Sequence, residues 1–354
     1  MKLQELLQLE HEYEIQSVSQ YLDLINLVTS KVRTDLNNTD LFIDVFSTFE
    51  DLIHTKQPTS RDIKKYLECI RDFAPFGSQI PAANKDYPKI IETRFFYRGV
   101  YNGLSFNLLP SALRGNRFGK ESDYYHYVKA QCAGDYQDLS QLNTLVKMQH
   151  YDCPTRLLDL SSNPLVALYF ASKNFGCSSC ENANFGYVYL FINPDNEVLF
   201  DGSDKAVALS CLAKLSLKDQ EAIYEACVSK IRRNGFGAVF DANNNGPAIE
   251  KLYHEIRQER EFDKRLKAID LMRNYYIQPD MTNNRIKLQS GAFLIPGIHR
   301  NQLDYLSSLE YEYYIRIKIV DQERILDELD RININEASLF PEADKVAHYY
   351  TEKL

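Results

Sequence analysis

Residues 145–173 read LVKMQHYDCPTRLLDLSSNPLVALYFASK, a polar segment followed by a run that is apolar on every face. Asn163 and Pro164 stand between the two parts. Asn is a favoured N-cap, and Pro is tolerated at the first helical position because its missing N–H would have no partner there. A helix that is apolar all round must be buried. The stretch therefore predicts a loop or short strand over 155–160, a Ser-Ser turn and a buried helix from residue 164.

The polar part of this stretch predicts a ligand-binding cluster. Its members are Gln149, His150, Thr155, Arg156, Asp159, Ser161 and Ser162. The unpaired N–H groups at the start of the following helix point back toward these side chains. Because such a helix start suits an anion, often a phosphate, the cluster is a candidate phosphate site.

Composition narrows the classes of function. The 354-residue chain has 44% hydrophobic and 25% charged residues, which is ordinary for a globular protein with a sizeable core. Its net charge of −8 argues against general nucleic-acid or membrane-surface binding, which need a basic face. No apolar run reaches the roughly 18 residues that span a bilayer, and the acidic N-terminus lacks a signal-peptide core. We therefore predict a cytoplasmic protein with no membrane partner.

The cysteines fit the same location. There are seven, scattered along the chain, which predicts reduced thiols. Cys177 and Cys180 form a CxxC pair, but a zinc site needs two more ligands, and the sequence shows no second CxxC or His pair. We predict no metal site.

The predicted secondary structure changes at residue 93 from mostly helical to mixed helix and strand. Residues 1–32 have apolar positions at helical spacing, and 33–90 are predicted to be mostly helical. A β-rich segment begins at Thr93, which predicts an N-terminal helical segment, 1–92, and an α+β domain, 93–354. In the second part, strands are predicted at 93–100, 186–192, 285–295 (a strand pair or bulged strand) and 313–320. Helices are predicted at 111–114, 121–131, 137–149, 217–233, 248–275 (broken or double), 321–331 and 342–353.

The first of three distinctive blocks in this second part is Tyr97-Arg98-Gly99. The three blocks together resemble the FRG domain family, which is named for a Phe-Arg-Gly signature. The second block, 149–171, is similar to the family's Gln-His-Tyr-Gly-x-Pro-Thr-Arg-Leu-Leu-Asp-Trp-Thr, with Asp152 in place of Gly and Leu-Ser in place of Trp-Thr. The third block is 284–293, and the Leu-Phe-Pro at 339–341 is also similar. The resemblance covers roughly 93–350.

The sequence also has a more remote likeness to ADP-ribosyltransferases, and this likeness implies a particular fold and an activity on NAD. It implies a split antiparallel sheet that clasps NAD, surrounded by many helices. Carried across, Arg98 takes the family's Arg role, Ser161 or Ser162 its Ser role, and Gln289 stands near its Glu position. A neutral Gln supplies hydrogen bonds but no charge, so the resemblance leaves open whether the protein cleaves NAD. Glu121 is a candidate for the missing carboxylate, although helix surfaces commonly carry Glu.

Each candidate residue has a structural alternative. Arg98 could bind phosphate through its planar fork of donors or pair with a nearby carboxylate. Gly99 would let a ligand approach closely. Ser161 and Ser162 could hold the ribose or nicotinamide, or simply cap the helix. Gln289 could orient substrate or satisfy backbone groups beside Gly291.

The remaining candidates flank the polar loop. His150 is either a general acid–base or a structural residue. Thr155 and Arg156 are candidate cofactor-binding residues, and the preferred interpretation of Arg156 is a partly buried ion pair with Asp159 that fixes the turn.

Three hypotheses about function follow. The first is an enzyme that binds NAD and breaks or transfers at the nicotinamide–ribose bond, as an ADP-ribosyltransferase or NAD glycohydrolase acting on an unknown macromolecular target. The resemblance further implies a bacterial toxin or phage-defence effector. The second is a sensor that binds NAD, ADP-ribose or a related nucleotide without turnover. The third is an interaction protein in which the helical segment 1–90 docks a partner and the core is a scaffold.

Overall fold

A computed structural model describes residues 13–36, 94–101, 108–174, 185–193, 198–240, 245–263, 265–281, 283–302, 305 and 313–354. The strands are β1 Tyr13–Ile15, β2 Arg94–Tyr101, β3 Leu158–Ser161, β4 Gly186–Asn193, β5 Val198–Phe200, β6 Val239–Phe240, β7 Leu266–Lys267, β8 Tyr275–Gln278, β9 Gly291–Ile295 and β10 Tyr313–Ile319. Eight of these described strands form one sheet in the order β1-β10-β4-β2-β3-β9-β8-β5, and β6 pairs with β7. The α+β class is confirmed.

The main sheet consists of two halves with a narrow joint between them. The first half is β1-β10-β4-β2 and the second is β3-β9-β8-β5. Between β2 and β3 the described register is a single pair, Tyr97 opposite Ser161, whereas β2 pairs with β4 along its whole length. The sheet is mixed, because the edge pairs β1–β10 and β5–β8 are parallel and the inner pairs are antiparallel. The detailed likeness to ADP-ribosyltransferases stays a prediction.

Eleven α-helices surround the sheet in the described part of the chain. They are α1 Val18–Leu36, α2 Glu121–Gln131, α3 Gln141–His150, α4 Pro164–Ser172, α5 Asp204–Cys211, α6 Leu217–Asn234, α7 Pro247–Glu259, α8 Asn284–Leu288, α9 Gln322–Arg331, α10 Glu336–Leu339 and α11 Ala343–Lys353. Short 3-10 turns at Ser111–Leu113 and Gly115–Arg117 precede α2.

The apolar helix predicted from residue 164 is confirmed as α4, and its packing against the sheet is unusually close. Asn163 caps it, with its side-chain oxygen accepting from Leu165 N–H at 2.9 Å. At Gly99 of β2, an added Cβ would lie 1.8 Å from the carbonyl oxygen of Ala167, and at Gly186 of β4 it would lie 1.9 Å from that of Ala171. Helix and sheet backbones therefore touch at these two glycines.

Strand β4 is buried on both faces, which explains its continuous apolar run. Its residues alternate between two core clusters, with Val188, Leu190 and Ile192 facing α1, α4 and α9. Tyr189 and Phe191 belong to the cluster on the opposite face. Because side chains alternate along a strand, a strand in the middle of a two-layer core needs apolar residues at every position.

The N-terminal residues that the structure describes belong to the same core. Strand β1 pairs with β10, and Tyr21 of α1 donates its hydroxyl hydrogen to the carbonyl of Pro164 at 3.1 Å. The predicted helix over 1–32 is wrong at 13–15, where β1 lies, and right from Val18 onward. Most of the helical prediction for 33–90 lies outside the described residues. The division at residue 92 stays a prediction.

Two other predictions of local structure need correction. Residues 248–275 are predicted as one broken helix or two adjacent helices, but α7 ends at Glu259 and is followed by β7 and a 3-10 turn rather than by a second α-helix. The predicted strand 285–295 is a strand only from Gly291, because Asn283 caps the short helix α8 by accepting from Arg285 N–H at 2.7 Å. The other predicted strands and the helices at 121–131, 217–233, 321–331 and 342–353 are confirmed within a few residues.

Candidate ligand-binding cleft

A cleft of about 550 Å³ opens where the two halves of the sheet meet. Strands β2, β3 and β9 contribute Arg98, Asp159, Ser161 and Ala292 to its lining, and α3, α4 and α8 form further walls. Its volume falls within the range of small-molecule sites, roughly 300–1,000 Å³. The joint between β2 and β3 thus leaves room for a ligand in the middle of the fold.

The cleft is more positive than the chain as a whole. Among its described lining residues are four arginines, Arg98, Arg114, Arg117 and Arg285, against two aspartates, Asp152 and Asp159. This excess of positive charge lies in a protein of net charge −8. A concave surface of one sign concentrates ligands of the opposite sign, so the cleft favours an anion.

Arg98 crosses the joint between the half-sheets. Its side chain is 14% exposed, and Nη1 donates to the backbone carbonyl of Asp159 at 2.7 Å. The same nitrogen lies 3.9 Å from Asp159 Oδ2. Burial lowers the pKa of Arg98, which the negative charge of Asp159 partly offsets. The guanidinium is therefore fixed in position on the floor of the cleft.

Arg114 lies between the two 3-10 turns, beside Arg98. Its Nε–H donates to the carbonyl of Leu109 at 2.8 Å. Burial and then repulsion by Arg98 lower the pKa of Arg114 to about 10, so the side chain is still protonated at neutral pH. Two guanidinium groups are therefore held close enough to repel each other.

Asp159 is one of the two aspartates in the described lining of the cleft. Its side chain is 65% exposed, and Oδ1 accepts from Gln149 Nε2 at 2.6 Å. Thr155 donates its hydroxyl hydrogen to Gln149 Oε1 and accepts from Leu157 N–H at 3.3 Å. Thr155 is buried behind Gln149 and is absent from the described lining, so it orients the cleft wall.

The two predicted serines join β3 to the segment before β9. Ser161 Oγ donates to the carbonyl of Gln289 at 2.7 Å, and Ser162 Oγ donates to that of Ser290 at 3.2 Å. Ser161 lines the cleft, whereas Ser162 does not. Ser161 Oγ also accepts from Asn163 N–H at 3.0 Å, so its hydroxyl is already bonded on both sides.

The start of α4 contributes to the lining mainly through an apolar side chain. Val166 of its first turn and Phe170 of its second line the cleft, Pro164 has no N–H, and Leu165 N–H is capped by Asn163. Gly99 borders the cleft, but the space above its Cα is filled by α4. The predicted reason for Gly99, close approach of a ligand, is therefore replaced by close approach of a helix.

Arg156 and Glu121 form a buried ion pair away from the cleft. Arg156 Nη2 and Nε donate to Glu121 Oε2 at 2.6 Å and 3.0 Å, and Arg156 N–H donates to Oε1 at 2.8 Å. The predicted pair of Arg156 with Asp159 is wrong. Arg156 lies in a bend ahead of β3, and Asp159 accepts from Gln149 Nε2 instead. Neither Arg156 nor Glu121 lines the cleft.

His150 and Gln289 do line the cleft. His150 is the last residue of α3, and its Nε2 lies 3.7 Å from Glu342 Oε1. Gln289 follows α8 and donates its Nε2 hydrogen to the carbonyl of Leu339 at 3.1 Å. The predicted strand position of Gln289 is therefore wrong, and its amide holds the C-terminal segment against the cleft.

Sequence reasoning missed Arg114, Arg117 and Arg285 as cleft residues. A signal was present, because Arg114-Gly115-Asn116-Arg117 places two arginines at the ends of a Gly-Asn turn. Arg285 lies over the ring of Phe340, 4.7 Å from its centroid. This contact joins α8 to the residue after α10, a pairing that the sequence does not indicate.

Comparison with known proteins identifies one region. Residues 93–177 match the FRG domain family. The FRG segment, as we call 93–177, contains the first two predicted blocks but not the third. Asp152 of this segment has φ of 59°, a left-handed conformation that Asp tolerates and Gly adopts freely. No curated protein and no solved structure matches the chain.

The remote likeness to ADP-ribosyltransferases, and the toxin or phage-defence role that the FRG resemblance implies, stay predictions. Within the described part of the chain, no helix is both long and apolar enough to cross a bilayer.

Among the residues that the structure describes, one cluster outside the FRG segment has metal-ligand residue types. Glu336, His348 and Glu352 place their ligand atoms within 4.8 Å of one another. Lys173 Nζ lies 3.8 Å from a carboxylate oxygen of each glutamate, so a cation of the protein already compensates them. The predicted CxxC pair at 177 and 180 lies outside the described residues. The predicted absence of a metal stays a prediction.

Proposed function

We propose that the cleft binds a phosphate-bearing nucleotide, with NAD as the first candidate. The observation that carries this proposal is Arg98, held by Asp159 on the floor of a cleft of about 550 Å³ with an excess of positive charge. A guanidinium fixed in this way presents a planar set of donors, which suits the oxygens of a phosphate.

The rest of the lining suits the other parts of a nucleotide. Val166, Phe170 and Phe293 supply an apolar surface for a planar ring. The exposed carboxylate of Asp159 can accept hydrogen bonds from ribose hydroxyls. Phosphate, sugar and base thus each have a complementary surface within one cleft.

Titration calorimetry with NAD tests this proposal. Wild type is expected to bind NAD, and Arg98→Gln is expected to weaken binding at least about tenfold, because a charge-assisted contact with phosphate is lost. Arg257→Gln is the matched control. Arg257 is exposed on α7, so this substitution removes the same charge outside the cleft. Absence of NAD binding by folded wild type, or equal affinities for wild type and Arg98→Gln, would contradict the proposal.

A second candidate function is cleavage of the nicotinamide–ribose bond, and Asp159 favours it. As that bond breaks, nicotinamide leaves with the bonding electrons and the ribose carbon becomes oxocarbenium-like, which a nearby carboxylate stabilises until water or an acceptor adds. Asp159 is an exposed carboxylate inside the cleft, whereas Glu121 is buried with Arg156.

Asp159→Asn separates the two functions. If the cleft cleaves NAD, nicotinamide release is expected to fall about a hundredfold in Asp159→Asn. Binding of NAD is expected to persist, because the change removes a negative charge from an anion site. Chromatography of labelled NAD measures the product. Binding by wild type without release of nicotinamide would instead leave the protein as a nucleotide sensor.

A further inference from the structure

The terminal nitrogens of Arg114 are available to bind a ligand in the cleft. Arg114 donates Nε–H to the carbonyl of Leu109. Within the described part of the chain, Nη1 and Nη2 have no hydrogen-bond acceptor in the protein. Since Arg114 lines the cleft, these nitrogens are placed to contact a bound anion.

The electrostatics of Arg114 support this placement. Burial of the Arg114 side chain and repulsion by Arg98 both lower its pKa and so disfavour its positive charge. The negative charge of Asp159 offsets these two effects only in part. A bound anion that touches both guanidinium groups would relieve their repulsion. The pair is therefore complementary to a group with negative charge at two neighbouring positions.

The alternative element for a second phosphate is the start of α4, but its first N–H groups are already engaged. Pro164 has no N–H, and Leu165 N–H donates to the Asn163 side chain. Ala167 N–H donates to the carbonyl of Asn163. In contrast, Arg98 of β2 and Arg114 between the two 3-10 turns both line the cleft.

We propose that Arg98 and Arg114 bind two adjacent anionic groups, so that the cleft takes a nucleoside diphosphate or a dinucleotide in preference to a nucleoside monophosphate. This inference rests on the proposed nucleotide-binding function. Arg98 contacts one phosphate and Arg114 contacts the next. Arg114 therefore makes the cleft prefer a ligand with two linked phosphates over a ligand with one.

The test compares AMP, ADP and NAD by titration calorimetry. Wild type is expected to bind ADP and NAD at least about tenfold more tightly than AMP, the effect of one additional charge-assisted contact. Arg114→Gln is expected to abolish this preference by weakening ADP and NAD about tenfold, with AMP changed less than about threefold. Arg257→Gln is expected to keep the wild-type order.

The outcomes separate this inference from the function on which it rests. Equal affinity of wild type for AMP and ADP, or an unchanged preference in Arg114→Gln, overturns the role of Arg114 while nucleotide binding stands. Absence of binding by all three nucleotides overturns both. If Arg114→Gln does not fold, as judged by circular dichroism, Arg114→Lys replaces it. Lys keeps the charge but loses the planar fork, so it is expected to reduce the preference for ADP about threefold, and an unchanged preference overturns the inference.

Discussion

Gly99→Ala is expected to prevent formation of the native structure. The new Cβ would lie 1.8 Å from the carbonyl oxygen of Ala167 and 2.7 Å from the backbone nitrogen of Ala171. Both atoms belong to the backbone of α4, so no side chain can turn aside. Relief requires α4 to move away from β2, which opens the core cluster that contains Val166, Leu168 and Val188.

The expected cost is comparable with the whole stability of a domain, about 5 kcal/mol or more. Soluble yield and thermal unfolding followed by circular dichroism measure it. Gly186→Ala is expected to behave in the same way, because its Cβ would lie 1.9 Å from the carbonyl oxygen of Ala171. The matched control is Gly134→Ala, where an added Cβ meets nothing within 4 Å.

This result would distinguish two reasons for the glycine beside Arg98. If Gly99→Ala folds with a melting temperature close to that of Gly134→Ala, the contact between α4 and β2 is not as close as the structure has it. A folded Gly99→Ala that fails to bind nucleotide would restore the prediction that this glycine admits a ligand. The structure instead explains the Arg-Gly pair by two different needs, the Arg for the cleft and the Gly for the helix behind it.

The sequence predicted those elements whose signals are local. The cap and first turn of α4 lie in Asn163-Pro164, and α6 ends at Gly235, which has φ of 77°. Such signals act over a few residues, so they can be recognised without knowledge of the fold. The predicted strand at 285–295 failed because the Asn283 cap favours a helical turn within an otherwise β-like sequence.

The candidate site was predicted in part, and its errors come from contacts between distant residues. Arg98, His150, Ser161 and Gln289 do meet in one cleft. The partner of Arg156, however, is Glu121, 35 positions earlier, whereas the predicted partner was three positions away. The closeness of Arg114 to Arg98 likewise depends on the packing of the 3-10 turns, for which no local pattern exists.

The buried pair of Glu121 and Arg156 gives the second large expected effect. Both side chains are less than 10% exposed, at 6% and 3%, and Glu121 accepts from the guanidinium and from Arg156 N–H. Glu121→Gln leaves a buried guanidinium without its counter-charge, so we expect a loss of about 3–5 kcal/mol in the free energy of unfolding. Urea unfolding measures the loss, and Glu221→Gln, at an exposed position of α6, is expected to change stability by less than about 0.5 kcal/mol.

A double variant shows whether charge or packing carries this effect. Glu121→Leu with Arg156→Met removes both charges and keeps apolar volume, so it is expected to cost less than the two single changes added together. Additive losses would mean that the two side chains stabilise the core independently through their other contacts, such as that of Arg156 with Gln220 at 3.2 Å. Because Glu121 Oε1 also accepts from Arg156 N–H, the single change Glu121→Leu, which removes both acceptor oxygens, is expected to loosen Thr155 next to it. With Thr155 the support of Gln149 in the cleft wall is weakened. Nucleotide affinity should therefore fall in Glu121→Leu, although Glu121 lies outside the cleft.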